Sequence, residues 1–246
     1  MFVKKIEILV RKELKDAFLS PLIYILAGLF CFMMGWLFFN YLIQAKQLTT
    51  RNMTDAVITP IFGNINFIFV FLSPLLTMRA FAEEKKQSTL DLLLRSELSE
   101  LQIILAKFIS NAVLVLFLIS FTFIFPVILA LSGYSDWGVV SSAYIGVFLS
   151  ICAYLSIGLF CSSLTDNQIV ASLLTFCILL GSMLMVITVN ASNNYLLSLM
   201  IQYLTVPFHY EGFIKGLIRS YSFVYFASYM GFFFFLTLKS LQSRKW

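Results

Sequence analysis

Six long apolar runs constrain this chain more than any other feature. They cover Pro21–Ile43, Ile61–Met78, Phe108–Leu131, Ser141–Leu164, Ile169–Val189 and Tyr221–Leu238. A helix needs about 20 apolar residues to cross the roughly 30 Å hydrocarbon core of a bilayer. Inside lipid a spanning helix satisfies its own backbone polar groups, so the runs predict an all-α, polytopic membrane fold with six transmembrane helices. The 246 residues then form one transmembrane domain. Their 60% hydrophobic and 12% charged composition lies outside the soluble globular range.

The net charge of +5 does not point to nucleic acid, because most basic residues flank the apolar runs. Thirteen of the 17 Lys and Arg lie in the N-terminal segment, the 79–107 loop and the tail from Lys239. Lys46, Arg51, Lys215 and Arg219 lie on the opposite face. Positive charge collects on the cytoplasmic side, so both termini are expected there. Trp36, Trp137, Tyr41, Tyr134 and Tyr144 fall at the expected interfaces, as an aromatic belt requires. The first run is too long for a signal-peptide core and no small-residue cleavage site follows it, so the mature protein is expected to keep its N-terminus.

Helix punctuation sets the limits. Ser20-Pro21 is an N-cap followed by proline at the first helical position. Thr165 with Gln168 can cap the fifth span. Pro74 and Pro126 lie inside spans two and three and should kink them. Ahead of the first span, residues 2–19 are amphipathic. Phe2, Ile6, Leu9, Val10, Leu14, Ala17 and Phe18 form one stripe, Ile8 falls off it, and charged residues cover the other side. Such a helix lies in the cytoplasmic interface as an elbow. On the outer side, the 190–220 segment carries YLLSLMIQYL (Tyr195–Leu204), too short to span and expected to end at Pro207.

The membrane interior lacks chemistry. From Phe108 to Leu164 the one charged residue is Asp136, placed in an outer loop, and the other spans carry none. Ion-coupled carriers usually keep an ionisable group at depth, so this reading excludes them. The chain has no phosphate-binding glycine loop and no metalloprotease or esterase motif, so no catalytic residue is assigned. Cys31, Cys152, Cys161 and Cys177 have no metal-ligand spacing and read as packing residues. His209 and Glu211, two apart, do not share a helix face, so no metal site is assigned. The fourth span carries Ser142, Gly146, Ser150, Gly158 and Ser162 at multiples of four, a small-residue stripe suited to close helix packing.

The island between spans two and three holds the most information. Ser88-Thr89-Leu90-Asp91 has the form of a capping box and is followed by Leu92, Leu93 and Leu94. Ser99-Glu100-Leu101-Gln102 is a second box, expected to start the third span two turns below the membrane. The pattern predicts a short cytoplasmic helix near 89–95, a turn at Arg95–Leu98, and stiff connections to spans two and three. Leucines on such a helix call for an apolar partner or for the lipid surface, on which the segment would lie as a connector.

Here the chain resembles the permeases of ABC-2 type transporters, and within them the permease subunit of the gliding-motility transporter. The likeness rests first on Thr77-Met78-Arg79, Phe81-Ala82-Glu83-Glu84-Lys85-Lys86, Thr89-Leu90-Asp91-Leu92-Leu93 and Ser99. It continues through Ala153–Phe160, Ser162–Thr165, Asn167–Ala171, His209–Glu211 and Val224–Phe226. Ser88 stands where the family commonly has glycine, and Glu97 where proline commonly precedes the third span. The resemblance implies a permease half of the type V exporter kind, in a bacterial inner membrane. It would pair with a second permease and a cytoplasmic ABC ATPase dimer, with room for an accessory periplasmic protein. ATP and Mg would be bound by the ATPase and no cofactor by this chain. Glu83, Glu84, Lys85 and Ser88–Leu94 would form the coupling segment. A non-transporting scaffold in an ATPase-driven mechanical complex is the alternative.

Overall fold

In the computed structural model, which describes residues 2–47, 54–94, 98–131, 133, 136–191 and 195–243, regular structure is entirely helical. The chain enters through the elbow helix α1 (Phe2–Leu19) and breaks at Ser20, whose N–H donates to the Ala17 carbonyl. The Ser20 hydroxyl accepts the Leu22 N–H and so caps α2 (Pro21–Gln47). After a π-helical turn at Thr54–Ile58 comes α3 (Thr59–Thr77), which continues through Pro74. Two short helices follow, α4 (Ala82–Lys86) and α5 (Leu90–Leu94).

Span three starts at its capping box. The Ser99 hydroxyl accepts the Gln102 N–H while the Gln102 side chain accepts the Ser99 N–H, and α6 (Glu100–Ser120) begins there. The helix tightens into a 3-10 turn at Phe121–Phe123 before α7 (Ile124–Leu131). Pro126 explains the break: it has no N–H, and its ring would clash with the Thr122 carbonyl in a regular helix.

The remaining helices are α8 (Trp137–Leu164), α9 (Gln168–Ala191), α10 (Tyr195–Leu204), α11 (Val206–Ile214) and α12 (Ser220–Gln242). The cap of α9 differs from the sequence reading. Asn167 provides it, its side-chain oxygen accepting the Ile169 N–H, while Thr165 accepts the Asn167 N–H one step earlier. Pro207 does not simply end the outer helix. It occupies the first turn of α11, where a missing N–H costs nothing. Arg95, Glu97 and Tyr134 lie outside the described residues, as do the side chains of Phe2, Asp91 and Leu94.

Among the described residues, six helical segments are long and apolar enough to cross a membrane. Their arrangement has α8 as its axis, packed against α3, α6, α9, α11 and α12. A helix that is apolar on every side belongs in a core, and α8 is buried along most of its length. By contrast α2, α9 and α12 turn Phe32, Trp36, Leu173 and Phe235 outward, as helices facing acyl chains do.

The small residues of α8 sit where neighbouring backbones come closest. A Cβ at Gly146 would lie 2.4 Å from the Phe213 Cβ, and one at Gly158 would lie 2.0 Å from the Thr77 Oγ1. The Ser142 hydroxyl donates to the Phe213 carbonyl at 2.9 Å, and that of Ser150 reaches the Asn66 side chain at 3.3 Å. The stripe therefore holds α8 against α3 on one level and α11 on another.

Candidate functional site

The candidate site is the end of the bundle where α4 and α5 meet α1, α6 and α8. Its apolar base contains Leu9 of α1, Phe81, Leu90, Ile103 and Ile104 of α6, Leu159 of α8 and Leu241 of α12. Phe81 is fully buried, which stabilises the arrangement by about 1.5–3 kcal/mol. Ile8, off the apolar stripe, points out.

The α8 end of the site is Ser162 and Ser163. The Ser162 hydroxyl accepts the N–H groups of Phe81 and Ala82, at 3.0 and 3.1 Å, and donates to the Met78 carbonyl. It thus satisfies two donors that the start of α4 leaves free. Lys85 reaches back to the Ser163 carbonyl at the C-terminus of α8, where a cation is favoured, and the Ser240 hydroxyl of α12 meets the same carbonyl. The loop is therefore tied to span four as well as to spans two and three.

On the other side is an ion cluster that sequence reading missed. Lys107, 1% exposed, places its ammonium 2.8 Å from Glu84 of α4 and 3.0 Å from Glu13 of α1, and 5.3 Å from the centre of the Phe81 ring. Ser110 and Asn111 donate to the Lys107 carbonyl one turn deeper. Nothing in linear spacing pairs Glu13 with a lysine 94 positions away. The available signal was Lys107 itself, a lone cation where the third span meets the island.

The island residues take different roles by position. Glu83 is half-exposed, 4.0 Å from Arg79 and in contact with Gln87. Ser88 does not cap α5. It adopts φ +56°, the left-handed region where glycine is at ease. The cap position falls to Thr89, whose carbonyl accepts the Leu93 N–H and whose own N–H and hydroxyl bind the Glu84 carbonyl. Within α5, Leu90 is 3% exposed and anchored, Leu93 is half-buried, and Leu92 is 79% exposed. One leucine thus faces away from the chain's own core.

Residues 40–239 match the profile of the ABC-2 family transporter proteins. The chain belongs to that family. No curated protein matches it. ABC-2 permeases are membrane components that work with an ABC ATPase. In this ABC-2 chain the matched region contains every element from α3 to α11, so both the island and the α8 stripe fall inside it.

His209 and Glu211 resolve separately. His209 is buried, stacked on Tyr225 at 3.8 Å, with Nε2 donating to the Tyr203 carbonyl at 3.0 Å. Glu211 pairs with Lys215 instead. The two do not converge on a common point.

Proposed function

We propose that this chain is the permease subunit of an ATP-driven exporter, with Glu83–Leu94 as the segment seated on a cytoplasmic ABC ATPase dimer. The observation that carries this reading is the contrast within α5. Leu90 locks the helix to the bundle, while Leu92 presents an apolar side chain to water on the charged side of the membrane, where exposure is unfavourable without a partner. Rigid ties at Ser162, Lys85 and Glu84 support transmission, since movement imposed on α5 is passed to α8, α6 and α1 together.

In this reading both termini are cytoplasmic, the membrane is a bacterial inner membrane, and ATP with Mg is held by the ATPase. A second permease, identical or different, completes the path through which an amphiphilic or larger substrate leaves. Helices α2, α9 and α12, apolar and outward-facing, are available for that pairing. Reconstitution of the chain with its ATPase subunit in lipid discs tests the proposal. Nucleotide hydrolysis that depends on an intact α5 is expected. Full transport by the chain alone would contradict it.

A further inference from the structure

A cleft of about 590 Å³ opens between α1 and the α4–α5 segment, within the range of about 300–1,000 Å³ typical of small-ligand sites. Its floor is apolar, formed by Leu22, Leu26, Leu76 and Leu114. Leu114 lies seven residues beyond Lys107 on α6, so the floor reaches roughly 10 Å past the charged rim, toward the level of the acyl chains. A soluble protein docking from below would meet the rim and leave this floor empty. An acyl chain would fill it.

The rim carries three cations, Lys12, Arg79 and Lys107, against four carboxylates, Glu13, Asp16, Glu83 and Glu84. Lys107 is shared between Glu13 and Glu84, both mostly buried. One oxygen of Glu84 is buried with no hydrogen-bond partner among the described residues. The centre of the rim is therefore one positive charge short, and buried charge without compensation is unfavourable. Toward solvent, Lys12 is exposed and Arg79 holds Glu83 at a loose 4.0 Å, which leaves its guanidinium able to bind a phosphate.

We propose that this cleft binds a zwitterionic amphiphile. Its ammonium lies beside the Glu13–Glu84 pair, its phosphate toward Lys12 and Arg79, and its chain along the leucine floor. The inference goes beyond the exporter reading, because it requires neither ATPase nor transport. Leu92 and Leu93 also line the cleft, so an occupant touches the segment assigned to coupling.

Native mass spectrometry of the full chain in detergent tests the site, with lysophosphatidylethanolamine and lysophosphatidylglycerol of equal chain length as probes. The ethanolamine probe should bind roughly tenfold more tightly. Ala17→Trp, which fills the cleft from α1, should remove both adducts at an unchanged melting temperature. Leu76→Trp serves the same purpose should the first variant fail to fold. Glu13→Gln should reduce the preference between headgroups to about twofold or less. Equal binding of the two probes, preference for the glycerol headgroup, or adducts that survive both tryptophan variants would each overturn the proposal. So would an adduct-free cleft that becomes protected from maleimide labelling at Ala17→Cys only when the ATPase subunit is added.

Discussion

The Glu84 carboxylate lies 2.8 Å from the Lys107 ammonium, joining the short helix α4 to the third span across 23 residues of chain. Glu13 meets the same ammonium from the elbow helix. A single buried cation thus holds together three elements that a pull on the island would otherwise separate.

Lys107→Met should therefore destabilise this end of the bundle by about 3–5 kcal/mol, because it strands two mostly buried carboxylates. Denaturation of the purified chain in detergent measures it. Combining Lys107→Met with Glu13→Gln and Glu84→Gln should recover a large part of the loss, since no charge is then left unpaired. A triple variant no more stable than the single one would show that the cluster is not the cause.

Gly158→Ala places a methyl group where Thr77 already stands. Overpacking of this kind costs about 1–3 kcal/mol. A lower melting temperature is expected, with partial rescue by Thr77→Ala. Gly181→Ala is the control, because nothing lies within 4 Å of a Cβ there.

Ser88→Gly should stabilise the chain by roughly 0.5–1 kcal/mol. It relieves an L-residue at φ +56°, offset in part by the freedom glycine gains when unfolded. Ser88→Val should do the opposite. Thermal melting of both variants checks the sign.

Acidification should loosen the contact of α11 with α12. Burial pushes the His209 pKa below its ordinary 6.5, while the bond to the Tyr203 carbonyl raises it by less. The buried Nδ1 has no partner among the described residues, so a proton added there finds no acceptor. The folded state binds this proton less readily than the unfolded chain does. Stability is then full above about pH 6.5 and falls as the pH drops toward the lower folded value. Melting temperatures between pH 8 and pH 5 should show this decline, and His209→Gln should flatten it.

The span count, the helix over residues 2–19, the Ser99–Gln102 box and the close packing along α8 were legible because each follows from local periodicity or from a cap that acts within one turn. What stayed hidden needed tertiary contact. The Glu13–Lys107–Glu84 cluster joins residues far apart in sequence, and so does the bond from Lys85 to the Ser163 carbonyl at the end of α8. Ser88 misled for a local reason: serine is a good cap in general, but here the chain must turn sharply between two helices. To the expected stiff connections with spans two and three, Ser162 and Ser163 add ties to span four.

The most direct test of the central claim is co-purification of the ABC ATPase with the wild-type chain and with Leu92→Asp. Leu92 is the choice over Leu93, which packs against the chain's own core. The account expects the wild type to retain the ATPase and Leu92→Asp to lose it, with unchanged melting temperature and membrane insertion. Equal retention by both would contradict the assignment of α5 as the surface that the ATPase grips.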